Sequence, residues 1–255
     1  MNITSPCRRP ARGRTGRLIA WGIWFVAAVL AVGPGARAET AVDLQLVLAV
    51  DASGSVNQTR FELQKQGYAA AFRNPRVISA VRSGAAQAIA VTMVQWTGPR
   101  LQIQVLPWTR IGDAESAAAF AAAIEATPRQ LFGGGTSISG AIDYAMTLLP
   151  EGGFKGTRRV IDVSGDGANT SGRPVTLARD DAVRAGVTIN GLPILSIEPD
   201  LDRYYFEFVI GGPGSFMIAA KDYESFAEAI LKKLIQEIAG QGERRYGMRN
   251  GKGIR

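Results

Sequence analysis

Between Asp43 and Val50 the chain reads DLQLVLAV, an apolar run that stops abruptly at Asp51. A strand this apolar has to be covered on both faces, as the central strands of parallel sheets are. The next segment has a different period. In QTRFELQKQGYAAAFRN, Phe61, Tyr68 and Phe72 recur at helical spacing until Pro75 stops the pattern. AIAVTMVQW (Ala88 to Trp96) reads as a second strand. LQIQVLPW (Leu101 to Trp108) alternates more strictly after a Gly-Pro turn, which marks an antiparallel partner at the sheet edge.

The alternation continues to the end of the chain. DAESAAAFAAAIEA (Asp113 to Ala126) reads as a helix with Asp113 as its cap. FGGGTSISGAIDYAMTLL is a glycine loop entering a helix whose buried face is Ile138, Ile142, Ala145 and Leu149. RRVIDVSGDG is a strand with its terminal loop. TLARDDAVRAG is a helix closed by Gly186. VTINGLPIL is a further strand, and SFMIAA is read as a last one. DYESFAEAILKKLIQEIAG is an amphipathic helix with Phe226, Ile230, Leu234 and Ile238 on one face. Strand and helix in turn specify an α/β fold: a doubly wound, mostly parallel sheet with one antiparallel edge strand and helices on both faces. No repeat and no second domain is visible.

The formal charge of +7 invites a nucleic-acid or membrane partner. Its distribution argues otherwise. Arg8, Arg9, Arg12, Arg14, Arg17 and Arg37 precede Glu39, the first acidic residue, and without them 23 basic residues face 22 acidic ones. The N-terminus reads as an export signal: a basic n-region from Arg8 to Arg17, an apolar h-region from Leu18 to Val32, and a small-residue site at Ala36 and Ala38. The expectation is cleavage after Ala38 and a periplasmic or secreted protein, with no nucleic-acid partner and membrane contact only through the signal. The organisation is thus residues 1–38 signal peptide, 39–240 one domain, and 241–255 a flexible basic tail.

Absences narrow the chemistry. The chain has no histidine, and its one cysteine, Cys7, lies in the signal. Ser-His-Asp and Cys-His catalysis are excluded, as are ordinary zinc and copper sites. A metal here would be held by oxygen, which suits magnesium (Mg2+), manganese (Mn2+) or calcium (Ca2+).

Three polar clusters fall at the expected strand ends and helix starts. They are Asp51, Ser53 and Ser55 in DASGS, Thr136 after Gly133-Gly134-Gly135, and Asp166 in SGDG. In open α/β sheets ligands bind beyond the C-terminal ends of the strands, so all three should share one rim. A divalent cation takes about six oxygens, a demand that two carboxylates, three hydroxyls and waters can meet.

DASGS, GGGTS and SGDG in that order resemble the von Willebrand factor type A (vWA) domain, over nearly all of Asp43 to Ile238. In that family D-x-S-x-S, a later Thr and a later Asp form a metal-ion-dependent adhesion site (MIDAS). The resemblance implies that Ser53, Ser55 and Thr136 are direct ligands, with Asp51 and Asp166 acting largely through waters or hydrogen bonds. It implies Mg2+, with Mn2+ or Ca2+ as alternatives, and an open position for a Glu or Asp carboxylate of a protein partner. The later INGLPIL, YYFEFVIGGPGSFMIAA and terminal helix also resemble a bacterial family of exported vWA-like proteins, a domain of unknown function.

Other candidates have plainer readings. Gly133 to Gly135 before a helix could cradle phosphate, but no Gly-Lys-Ser/Thr follows. Asp162 inside an apolar strand needs a partner, expected from a nearby loop or an arginine. Asn169 and Thr170 read as turn builders, Asp180 and Asp181 as a solvated helix face, Trp96 and Trp108 as packing at the sheet margin. The function expected is a binding module and not an enzyme. A metal-assisted hydrolase using the same cation, and a scaffold with a vestigial site, remain the alternatives.

Overall fold

The structure, a computed structural model, describes residues 39–240. The export signal (1–38) and the basic tail (241–255) of the sequence reading lie outside the described residues. Five strands, β1 (Thr40–Asp51), β2 (Ile89–Trp96), β3 (Gln102–Ile111), β4 (Phe154–Gly165) and β5 (Thr188–Pro193), form one sheet in the order β3-β2-β1-β4-β5. β1 pairs in parallel with β2 and β4, β4 in parallel with β5, and only β3 runs antiparallel, against β2.

β1 is central, and its side chains alternate between two cores. Leu44, Leu46, Leu48 and Val50 face one side, where they meet Phe61, Tyr68 and Phe72 of α1 (Gln58–Arg73). Val77 and Val81 of α2 (Pro75–Arg82), Phe120 and Ile124 of α3 (Ala114–Ala126), and Phe226, Ile230 and Leu234 of α7 (Phe226–Ala239) complete that core. Val47 and Ala49 face the other side, packed with α4 (Ile138–Leu148), α5 (Val175–Arg184), the short α6 (Leu201–Tyr204) and a π-helical turn at Tyr205–Val209. None of the helices among the described residues is long and apolar enough to cross a membrane.

Several local expectations meet the structure directly. Asp113 caps α3 through a reciprocal pair with Ser116. Pro107 sits on the edge strand β3, where bulges interrupt the register opposite Val91 to Val94. Trp96 is fully buried at the end of β2, while Trp108 is half-covered and donates to the Leu148 carbonyl. Asp180 and Asp181 pair on the surface with Arg179 and Arg173.

Three readings change. Pro75 ends α1 but also begins α2, because a proline at the first helical position forfeits only an N–H that would lack an intrahelical partner anyway. SFMIAA is not a full strand. Residues 216–220 run beside β5: Gly191 N donates to Phe216 O (3.2 Å), Ile218 N to Gly191 O (3.2 Å), Ala220 N to Pro193 O (2.9 Å) and Leu195 N to Ala220 O (2.9 Å). The rung missing from that series is the one position 193 would donate, and proline has no N–H. The pairing therefore breaks into isolated bridges. Finally, the partner of Asp162 is neither a loop nor an arginine. Lys233 of α7 places its Nζ 2.6 Å from Asp162 Oδ1, with Glu237 at 3.3 Å from the same ammonium and all three side chains buried.

Candidate functional site

Asp51 is the last residue of β1 and Asp166 follows the last residue of β4. Because β1 and β4 are parallel neighbours with Val50 opposite Ser164, both carboxylates emerge at the same end of the sheet. The intervening serines connect them. Ser53 N donates to Asp51 Oδ1 at 2.7 Å, the two hydroxyls of Ser53 and Ser55 are 3.1 Å apart, and Ser55 Oγ donates to Asp166 Oδ1 at 2.6 Å. Four of the five sequence candidates thus form one hydrogen-bonded chain.

Thr136 joins the same rim by its backbone. Its carbonyl accepts from Thr170 N (2.9 Å) and Ser171 N (3.1 Å), which ties the glycine loop to the Asp166 loop. Ser137 N, next along, donates to Thr97 O beyond the end of β2. The Thr136 hydroxyl makes no direct bond to the other four residues; it lies 3.7 Å from where a Cβ on Gly167 would stand. Asn169 and Thr170 do more than build a turn. Asn169 Oδ1 accepts from Ser139 N, and Thr170 Oγ1 accepts from Thr136 N. The Asn169 bond and the cap from Ser137 Oγ to Gly140 N occupy first-turn donors of α4, which weakens the phosphate-cradle reading.

Asp51 is the strained member. Burial pushes its carboxyl up to about 7, against the stabilising donors of Ser53, and the nearby Asp166 adds to the rise. Its second oxygen, Oδ2, is buried without a hydrogen-bond partner, as are Tyr205 Oη and Trp96 Nε1 nearby. A Cβ at Gly165 would come within 2.8 Å of that oxygen and 3.1 Å of the tyrosine hydroxyl, so glycine keeps this space open. Gly134, at φ +92°, makes the turn that brings Thr136 to the rim.

An orphaned carboxylate oxygen beside converging hydroxyls is a donor set suited to a hard divalent cation, completed by water. No cluster of three His, Cys, Asp or Glu residues of metal-holding geometry occurs among the described residues, since this set has two carboxylates and is otherwise hydroxyl.

Three residues that the sequence reading did not single out surround the rim. Tyr223 Oη donates to Asp166 Oδ2 at 2.8 Å. Arg60 places Nη1 3.8 Å from the same oxygen, donates to Ser55 O at 2.7 Å and lies over the Tyr223 ring. Arg129 donates from Nη2 to Ala52 O (2.9 Å) and Ser53 O (3.1 Å), holding the DASGS loop from outside, and stacks on the exposed Phe132. Arg60 had a readable signal, since it sits in the first turn of α1 directly behind the motif. Tyr223 and Arg129 arrive from 57 and 77 residues away and had none.

Comparison with known proteins places the fold. The fold matches a von Willebrand factor type A protein from Catenulispora acidiphila (16% identity, 77% of this chain and 43% of that one, TM-score 0.54). It matches proximal thread matrix protein 1 of the mussel byssus with a zinc-occupied MIDAS motif (13% identity, 79% and 47%, TM-score 0.54). It also matches the pilus adhesin SpaC of Lactobacillus rhamnosus GG (15% identity, 78% and 31%, TM-score 0.57). The chain spans less than half the length of each. At these identities the likeness establishes the vWA fold. No curated protein matches in sequence. Residues 41–242 match the family described as "Protein of unknown function (DUF1194)", and the chain, with its vWA fold, belongs to that family.

Proposed function

We propose that the protein is an exported binding module that holds a divalent cation at Asp51, Ser53, Ser55, Thr136 and Asp166 and grips an acidic side chain of a protein partner. The observation that carries the reading is the Asp51–Ser53–Ser55–Asp166 chain ending in a buried, unpartnered Asp51 oxygen. Such an oxygen costs free energy unless something compensates it, and a cation held directly or through water would do so. The mussel matrix protein carries zinc at its MIDAS, which supports a metal at the same place in this fold. The absence of cysteine and histidine from residues 39–255 favours Mg2+ here, with Mn2+ or Ca2+ as alternatives.

When bound, the cation supplies a Lewis-acidic position for a carboxylate from outside. The protein's own residues set that position: Ser55 orients Asp166, Ser53 orients Asp51, and Arg129 fixes the loop between β1 and α1. Asp166 has both carboxylate oxygens engaged, by Ser55 and Tyr223, and the chain has no histidine to act as base, so binding is favoured over hydrolysis. Export rests on the residue pattern before Glu39, and the domain is taken as residues 39–240. Calorimetric titration with Mg2+ and Mn2+, beside Asp51→Ala, tests the site. Heat of binding in the wild type and none in the variant supports the reading, and equal binding in both would sink it.

A further inference from the structure

The charges around the site carry a consequence for how metal and partner bind together. Asp51 and Asp166 supply up to two negative charges, and Glu198, which accepts from Ala168 N beside the Asp166 loop, adds a third at its margin. Two guanidiniums oppose them. Arg60 lies 3.8 Å from Asp166 Oδ2, and Arg129 is held against the Ala52 and Ser53 carbonyls close enough to Asp51 to sense its charge. The protein alone therefore nearly balances its own site. A divalent cation would turn that balance positive, and one carboxylate from outside would restore it.

We propose that Arg60 makes metal binding and carboxylate binding mutually dependent: it opposes the cation when the site has no ligand and contributes a second contact to the ligand's carboxylate when it arrives. This rests on the binding-module reading above. Arg60 is suited to both parts. It is anchored by one nitrogen only, with Nη1 donating to Ser55 O and the guanidinium resting on the Tyr223 ring at 5.3 Å. Nε and Nη2 make no hydrogen bond within the described residues, and the side chain is 31% exposed. A planar fork with donors to spare, beside a cation, matches the second oxygen of a bound carboxylate. The contact with Asp166 Oδ2 is long, and Tyr223 already satisfies that oxygen, so fastening Asp166 does not by itself account for the arginine.

The coupling is reciprocal by linkage: whatever factor the carboxylate adds to metal affinity, the metal adds to carboxylate affinity. In a nearly aqueous rim, Coulomb's law makes one unit charge beside a divalent ion worth on the order of tenfold in affinity. The experiment is a calorimetric titration of the full chain with Mn2+, with and without millimolar acetate, in the wild type, Arg60→Gln and Arg60→Lys. In the wild type acetate is expected to tighten Mn2+ by about tenfold. Arg60→Gln is expected to bind Mn2+ more tightly alone and to lose most of the acetate gain. Arg60→Lys keeps the charge but not the fork, so it should bind Mn2+ alone like the wild type and keep only part of the gain. If Arg60→Gln matches the wild type in both titrations, Arg60 is a fastener only and the inference falls while the metal site stands. If Arg60→Gln does not fold, a full acetate gain in Arg60→Lys overturns the fork's role. Absence of Mn2+ binding in every protein, with or without acetate, overturns the binding-module reading itself.

Discussion

Ser55 Oγ donates to Asp166 Oδ1 across 2.6 Å, although 111 residues separate them in the chain. That bond closes the rim, because it joins the loop leaving β1 to the loop leaving β4. Both carboxylates of the site hang from it, Asp166 directly and Asp51 through Ser53.

Asp51 bears the cost of this arrangement. With its carboxyl raised to about 7 and one oxygen orphaned, the ionised form destabilises the metal-free fold. Asp51→Asn keeps the shape and removes the charge. It is expected to raise metal-free stability by about 1 kcal/mol above neutral pH while abolishing stabilisation by Mg2+. Melting curves in EDTA and in Mg2+ report both effects, and a variant less stable in EDTA and still stabilised by Mg2+ contradicts the assignment.

Tyr223 acts on the site through Asp166. Tyr223→Phe removes the 2.8 Å bond to Oδ2 and leaves the ring and its packing in place. Metal affinity is expected to fall by about tenfold, the usual effect of losing a group that orients a ligand. Stability in EDTA is expected to fall by about 1–3 kcal/mol, because a buried carboxylate oxygen loses its donor, and a melting transition that stays single and cooperative separates this from general damage. The measurement is a Mn2+ titration of both proteins.

Among the described residues, Lys233 is the one ammonium in contact with two buried carboxylates. Its Nζ is 2.6 Å from Asp162 Oδ1 and 3.3 Å from Glu237 Oε2, while Asn190 Nδ2 donates to Glu237 at 2.7 Å. Lys233→Met leaves the acids uncompensated and is expected to cost about 3–5 kcal/mol. Denaturant unfolding measures it. The double variant Lys233→Met with Asp162→Asn should recover a large part of the loss.

The same cluster gives a pH dependence. Burial pushes the Asp162 carboxyl from 3.8 up to about 7, more than Lys233 pulls it down. A group whose native value is raised holds a proton in the fold that it loses on unfolding. Its contribution is therefore complete below about pH 4 and is lost as pH rises through about 7. The stability of Asp162→Asn relative to wild type is expected to increase from about pH 5 to about pH 8. Paired melting curves across that range check it, and a constant difference counts against a proton on Asp162.

The sheet was readable because β1 and β2 are apolar over most of their length and β4 over its second half, and each ends where the polarity changes. The rim was readable because Asp51, Ser53, Ser55 and Asp166 lie at or just beyond strand ends and Thr136 follows a glycine turn. What stayed hidden depends on contacts distant in the chain. Nothing around Tyr223 or Arg129 announces that each reaches the rim from 57 and 77 residues away. Asp162 looked unpaired because its ammonium sits on α7, in a pattern that reads only as an amphipathic helix. The strand at 216–220 was over-read for a different reason: its composition is right, but its neighbour in β5 is a proline.

That proline also limits what the sheet margin offers to a further strand. An exposed strand edge with a full row of free donors and acceptors is a template on which other chains can add. Here the strip along β5 is only intermittently bridged because of Pro193, and the opposite edge strand β3 carries Pro107 and a broken register. Both margins of the sheet are thus poor templates for a further strand.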